Sequence, residues 1–130
     1  MTEEQLYRKF ARYYDRIYEK IDLQIEGDFI KWAVERHKTS AGNKLLDMAC
    51  GTGRHTQLLR DGFDILGVDI NPEMLKIFRE KLPDNNFIQG DMKELSLNEK
   101  FDVLICMFSA MNYNTTIEEF KGTLENFYTH

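Results

Sequence analysis

One change of pattern constrains this chain more than any other. Up to about residue 42 the apolar residues recur at helical spacing, but Lys44-Leu45-Leu46-Asp47-Met48 is a short, nearly continuous run, and Gly51-Thr52-Gly53 then turns the chain into a new helical stretch, Arg54 to Arg60. An apolar run too short for a helix, followed by a tight turn, reads as a buried strand. The unit recurs. Phe63 to Val68 is a second strand closed by Asp69, Phe87-Ile88-Gln89 a third before Gly90-Asp91, and Phe101 to Cys106 a fourth, apolar from Val103 onward. Between the second and third, Asn71-Pro72-Glu73 opens a helix with proline at its first position, and Met74, Ile77, Phe78 and Leu82 form its inward stripe. Strands alternating with helices require crossover connections and a parallel sheet covered on both faces. The expected fold class is α/β, a doubly wound parallel sheet.

Two helices precede this core. Thr2-Glu3-Glu4-Gln5 is a capping-box pattern, and Leu6, Phe10, Tyr14, Ile17 and Ile21 follow at helical spacing. Ile25, Phe29, Ile30, Ala33, Val34 and His37 mark the second, which stops at Thr39-Ser40-Ala41-Gly42. After the fourth strand, Thr115-Thr116-Ile117-Glu118 is another capping box, and Ile117, Phe120, Leu124 and Phe127 continue to the end. The 130 residues fit one domain, a helical part over about 1–42 and a core over about 43–130.

Charge narrows the partners. With 17 basic and 22 acidic residues the net charge is −5, and Lys44, Arg54, Arg60, Lys76, Arg79 and Lys81 form no block, so a nucleic-acid partner is not expected. No apolar run approaches the roughly 20 residues that span a bilayer. The start Met1-Thr2-Glu3-Glu4 lacks the basic and apolar segments of a signal peptide, and Cys50 and Cys106 show no paired spacing, so a cytoplasmic protein with reduced thiols is expected.

In an open parallel sheet the ligand crevice lies beyond the carboxyl ends of the strands. Here those ends carry Asp47 to Gly53, Asp69, Asp91 and Met107 to Asn112, so four strands deliver glycines, carboxylates and polar groups to one edge. Gly51 and Gly53 have no Cβ, so the backbone can turn sharply and lie against a ligand. The helix after Gly53 offers free N–H groups and a positive dipole end. Asp69, 22 positions after Asp47, is placed to accept both hydroxyls of a ribose. Plainer readings stand beside these: helix caps for Asp47 and Asp69, a turn residue for Asp91, core packing for Tyr14, an exposed helix position for His55. The ordered set favours the ligand reading for the aspartates. His37 and His130 lack partners for a metal, and none is expected.

The ligand's charge can also be read. A dinucleotide fingerprint calls for glycine or alanine at the position of Thr56, and Asp47 would bring a like charge toward a pyrophosphate. An NAD-type reductase is therefore disfavoured, and a ligand with a ribose and an ammonium group but no phosphate is favoured.

Leu45-Leu46-Asp47-Met48-Ala49-Cys50-Gly51-Thr52-Gly53 resembles motif I of the class I S-adenosylmethionine-dependent methyltransferases. Gly67-Val68-Asp69-Ile70, Gly90-Asp91-Met92 and Phe101-Asp102-Val103-Leu104 are similar to their next three motifs, in order, from about Lys44 to Asn112. The resemblance implies a Rossmann-like fold and transfer of the sulfonium methyl to a nucleophile. It implies S-adenosylmethionine as cofactor and S-adenosylhomocysteine as product. By the same resemblance Asp47 orients the methionine ammonium through water, Ala49 and Gly51 line the methionyl part with Gly53 beside them, and Asp69 binds ribose. Ile70 lies against the adenine, Asp91 and Met92 address its edge, and Met107 belongs to the loop that packs the cofactor. Ala49 stands where many members have glycine. Tyr14-Asp15-Arg16-Ile17-Tyr18 and Met107-Phe108-Ser109-Ala110-Met111-Asn112-Tyr113 are similar to small-molecule N-methyltransferases, including amino-sugar N,N-dimethyltransferases and glycine N-methyltransferase. In these an N-terminal helix caps the cofactor, which nominates Tyr14 as the residue reaching the reaction site and a small-molecule amine as acceptor. The family sheet has seven strands and this pattern stops after four. The fourth strand is then an open apolar edge, and the chain is expected to dimerise through it, exchange an element with a second copy, or belong to a longer protein. A fragment that binds cofactor without turnover is the alternative.

Overall fold

The computed structural model describes residues 2–108 and 110–130, without the side chains of Glu3, Glu4 and Leu6; Ser109 of the expected cofactor loop lies outside the described residues. At the N-terminus the capping box forms. Thr2 Oγ1 accepts from Gln5 N at 3.2 Å and Gln5 Oε1 accepts from Thr2 N at 3.1 Å, opening α1 (Glu3–Ile17). The buried side of α1 is not the expected stripe. Phe10 and Ile17 are exposed, whereas Ala11 is buried and Tyr7, Tyr14 and Tyr18 are half-buried, because these rings pack on one another and on Tyr113 and Phe108. α2 (Gln24–His37) buries Gly27 and Ile30 and leaves Ile25 and Phe29, expected inside, in solvent.

The core follows as β1 (Lys44–Met48), α3 (Arg54–Leu59), β2 (Asp64–Asp69), α4 (Pro72–Lys81), β3 (Asn86–Gln89), β4 (Val103–Ile105), a 3-10 turn (Ala110–Tyr113) and α5 (Ile117–Thr129). Asn71 caps α4 with Pro72 at its first position, as expected. The second capping box is displaced by one residue. Thr116 is the cap, its hydroxyl accepting from Glu119 N at 3.1 Å, and the Glu119 carboxylate accepts from Thr115 N at 2.6 Å. α5 likewise turns Thr123 and Phe127 inward and exposes Ile117, Phe120 and Leu124.

The strands form one parallel sheet in the order β3-β2-β1-β4, with Asp47 of β1 beside Gly67 of β2 and Ile105 of β4. Alternation sorts the core by face. Leu45, Ile65, Val103 and Ile105 pack with Ile30 and Val34 of α2 and Leu59 of α3. Phe78 of α4 and Leu82, the cap at its end, cover the same side with Cys50 and Phe87. Leu46, Met48, Val68, Ile88 and Leu104 face the other way, against Met92, Leu95 and Phe127 of α5. The sheet is therefore doubly wound. Among the described residues β4 pairs with β1 alone, and α5 lies on a face of the sheet rather than along that free edge. No helix among the described residues is long and apolar enough to cross a membrane.

Candidate functional site

Because all four strands run in one direction, their carboxyl ends meet at one rim. A cavity of about 590 Å³ opens there. Its walls are Met48, Ala49 and Gly51 after β1, Asp69, Ile70 and Asn71 after β2, Gln89, Gly90, Asp91 and Met92 after β3, and Met107, Phe108 and Tyr113 after β4. Tyr7, Arg8 and Tyr14 of α1 close it.

The loop after β1 places every second residue in the left-handed region: Ala49 at φ 59°, Gly51 at 56° and Gly53 at 83°. For Ala49 this conformation costs about 1–2 kcal/mol, the kind of strain that concentrates at ligand sites. The two glycines serve different ends. A Cβ on Gly51 would meet nothing within 4 Å, so this backbone is open to the cavity. A Cβ on Gly53 would stand 2.6 Å from Phe78 Cδ2 and 2.9 Å from Leu82 Cδ1. Gly53 is thus absent from the cavity wall, contrary to the expectation from the sequence, and lets α3 pack on α4.

Asp69 holds this loop. Its Oδ2 accepts from Gly51 N and its Oδ1 from Asn71 N, both at 2.8 Å, while the residue lines the cavity. Burial raises its carboxyl above the ordinary range, partly offset by the N–H groups of Asn71, Gly51 and Ile70. Asp47 sits deeper. It is 2% exposed, lies outside the cavity wall, and accepts from Thr56 Oγ1 at 2.8 Å through Oδ2. Burial pushes its carboxyl up to about 6, against the Thr56 hydrogen bond and His55, with Asp69 adding to the rise. Two carboxylates held above their normal range beside one cavity favour a cationic group within reach. His55, expected at an exposed helix position, is instead buried, with Nε2 2.7 Å from Glu26 Oε2 of α2.

Asp91 caps a turn, accepting from Lys93 N at 2.9 Å, and Met92 is fixed from α5 by Asn126 Nδ2, which donates to its carbonyl at 2.9 Å. Gln89 Nε2 donates to the Ile70 carbonyl at 3.1 Å and ties the ends of β2 and β3 together. On the opposite wall, aromatic rings form a chain: Tyr113 to Tyr7 at 6.2 Å, Tyr7 to Tyr14 at 6.0 Å, Tyr14 to Tyr18 at 4.8 Å and Tyr18 to Phe108 at 5.3 Å. Phe108 adopts φ 60°, a second strained residue on the cavity. Burial, with the neighbouring tyrosines, pushes the Tyr14 phenol to about 12, so near neutrality it remains protonated.

Residues 45–130 match the family described as Methyltransferase domain. The chain belongs to this family. Its relatives and structural neighbours are S-adenosylmethionine-dependent enzymes: class I methyltransferases with a Rossmann-like fold. The chain is 38% identical over 96 residues to dTDP-3-amino-3,4,6-trideoxy-alpha-D-glucopyranose N,N-dimethyltransferase from Streptomyces venezuelae, covering 73% of this chain and 40% of that one. It is 34% identical over 125 residues to dTDP-3-amino-3,6-dideoxy-alpha-D-glucopyranose N,N-dimethyltransferase from Streptomyces fradiae, 94% of this chain and 49% of the relative. Its structure resembles that of Streptomyces venezuelae DesVI with a TM-score of 0.85 and 36% identity, covering 92% of this chain and 52% of that one. The chain spans about half the length or less of these curated relatives.

Tyr14, Ala49, Gly51, Asp69, Ile70, Asp91, Met92 and Met107 come together around one cavity, and Asp47 and Gly53 stand behind it. Sequence reasoning missed Tyr7, Arg8, Gln89 and Lys93, which also line it. Tyr7 carried a usable signal, since it lies two helical turns before Tyr14, and Arg8 follows it at the edge of the same face. Gln89 and Lys93 flank Gly90-Asp91-Met92 and follow from the bend of that loop alone.

Proposed function

We propose that the cavity binds S-adenosylmethionine and that the whole protein transfers its methyl group to a small-molecule amine. The observation that carries this reading is the Asp69 carboxylate, which faces the cavity while holding Gly51 and Asn71 by their amides. A carboxylate so fixed offers its remaining lone pairs to a ribose diol at little entropic cost. Ala49 and Gly51 present bare backbone to the methionyl part, and Asp47 supplies negative charge behind that loop for its ammonium. Ile70, Met92 and Met107 give apolar surface to the adenine, with Asp91 at its polar edge. Bound there, the cofactor supplies an electrophilic methyl group on a sulfonium.

The chain's own residues then orient the acceptor and exclude water. Tyr14, a neutral phenol, is suited to hydrogen-bond an acceptor amine and not to act as a phenolate base. The amino-sugar N,N-dimethyltransferase relatives support an amine acceptor. Calorimetry with S-adenosylhomocysteine and with NADH tests the ligand: heat for the first alone is expected, and heat for NADH alone would overturn the reading. Methyl transfer to a small-molecule amine is a separate measurement on the same sample, and ligand binding without turnover would favour the alternative of a cofactor-binding fragment. Self-association through the free edge of β4 is proposed as well, supported by the apolar side chains that α2 and α5 expose on the two sides of the sheet, Phe29 and Trp32 on one and Ile117 and Phe120 on the other.

A further inference from the structure

α1 walls the cavity with little apolar anchorage. Among its described side chains Ala11 alone is fully buried, and Phe10, Tyr13 and Ile17 are exposed. Its C-terminal half is fastened by polar contacts instead. The Asp15 carboxylate accepts from the Thr52 hydroxyl through Oδ1 and from Lys81 Nζ of α4 at 2.6 Å through Oδ2. Arg54, at the start of α3, donates to the Tyr18 carbonyl at 2.9 Å and the Ile21 carbonyl at 3.4 Å, closing the C-terminal end of the helix.

The placement of these contacts matters more than their number. Thr52 is 1% exposed and lies between Gly51, whose backbone lines the cavity, and Gly53, which is wedged against Phe78. Asp15 is the neighbour of Tyr14, which lines the cavity from the other side. One carboxylate therefore joins the loop on one wall to the helix that forms the opposite wall. A ligand that orders the Gly51 backbone also orders Thr52, and through Asp15 the position of Tyr14.

We infer that Asp15 is a positioning residue that fastens α1 to the glycine loop, so that occupancy of the loop and closure of the α1 wall are coupled. The coupling half rests on the cofactor reading above; the fastening half does not. Lys81 holds the second carboxylate oxygen and keeps Asp15 aimed at Thr52. Both side chains are about a third exposed, so salt loosens the fastening.

Hydrogen exchange by mass spectrometry, with and without S-adenosylhomocysteine, tests both halves. Without ligand, Asp15→Ala is expected to speed exchange of the α1 amides ~10-fold while β1 and β2 amides stay as in the wild type, the pattern of a local opening. With ligand, the wild type should protect α1 and the glycine loop together, whereas Asp15→Ala should protect the loop alone. Asp15→Asn, whose amide oxygen still accepts from Thr52, should restore much of the α1 protection, and Thr52→Val should mimic Asp15→Ala. Unchanged α1 exchange in Asp15→Ala would overturn the fastening, as would equal acceleration in β1 and β2. Ligand protection of α1 that survives Asp15→Ala would overturn the coupling. If the wild type binds no S-adenosylhomocysteine, the cofactor reading fails and the ligand-free comparison still decides the fastening.

Discussion

Gly51 donates its amide to the Asp69 carboxylate at 2.8 Å, so the loop after the first strand is held by the end of the second. The same carboxylate takes the Asn71 amide at the start of α4, also at 2.8 Å. One side chain thereby sets the relative position of two loops and faces the cavity they form. Its removal should be felt in ligand binding before it is felt in the core.

Asp69→Ala is expected to weaken S-adenosylhomocysteine binding by about 1.5–3 kcal/mol, the scale for hydrogen bonds to a charged group. Asp91→Ala should lose less, because the Met92 backbone stays tied to Asn126. Titration calorimetry on both variants checks the order. Wild-type affinity in Asp69→Ala would remove the ribose assignment.

The two glycines should separate. Gly53→Ala combines a left-handed φ, costing about 1–2 kcal/mol, with overlap on Phe78 costing about 1–3 kcal/mol more. It should lower stability strongly in denaturant titration. Gly51→Ala carries the first cost only, and its new methyl points into the cavity, so the larger effect falls on ligand affinity.

Asp47 should give the domain a pH signature. Its folded value of about 6 lies above the ordinary 3.8, so its favourable contribution is complete below pH 3.8 and is lost as pH rises through 6. A cationic ligand favours the ionised form, so affinity should rise across the same window in which this group costs stability. Asp47→Asn, which keeps an acceptor for Thr56, should flatten both trends in parallel denaturation and binding series.

Sedimentation at increasing concentration examines the β4 edge. Association that is abolished by a proline at Leu104, where an unpaired edge would otherwise accept a strand, is the expected result. A monomer at every concentration would rule it out.

The sheet and its rim were legible because three of its four strands carry an aspartate at or just past the carboxyl end: Asp47, Asp69 and Asp91. Helix faces were less so. Positions 10 and 17 of α1 and positions 7, 11, 14 and 18 of the same helix both obey helical spacing, and only packing chooses the second set. The same holds for α5, where Thr123 is buried because its hydroxyl donates to Asn114 Oδ1 at 2.8 Å. Glycine is equally ambiguous in a sequence. Whether it makes room for a ligand or for Phe78 depends on a residue 25 positions beyond Gly53, invisible to any local motif.

The strand order also dictates when the cavity can come into being. β1 and β2 are joined by a short crossover, but β4 must return to β1 from far along the chain: Lys44 and Asp102, which bond where the two strands begin, are 58 positions apart. Closing that longer loop carries an extra entropic cost of about 1 kcal/mol, levied before any contact is gained. That cost predicts that pairing of β1 with β2 precedes capture of β4 during folding, an order that pulsed hydrogen exchange during refolding would read from the β2 and β4 amides. On that order the rim is completed with β4, since Met107 and Phe108 follow it, and a bound ligand would secure the strand that arrives late.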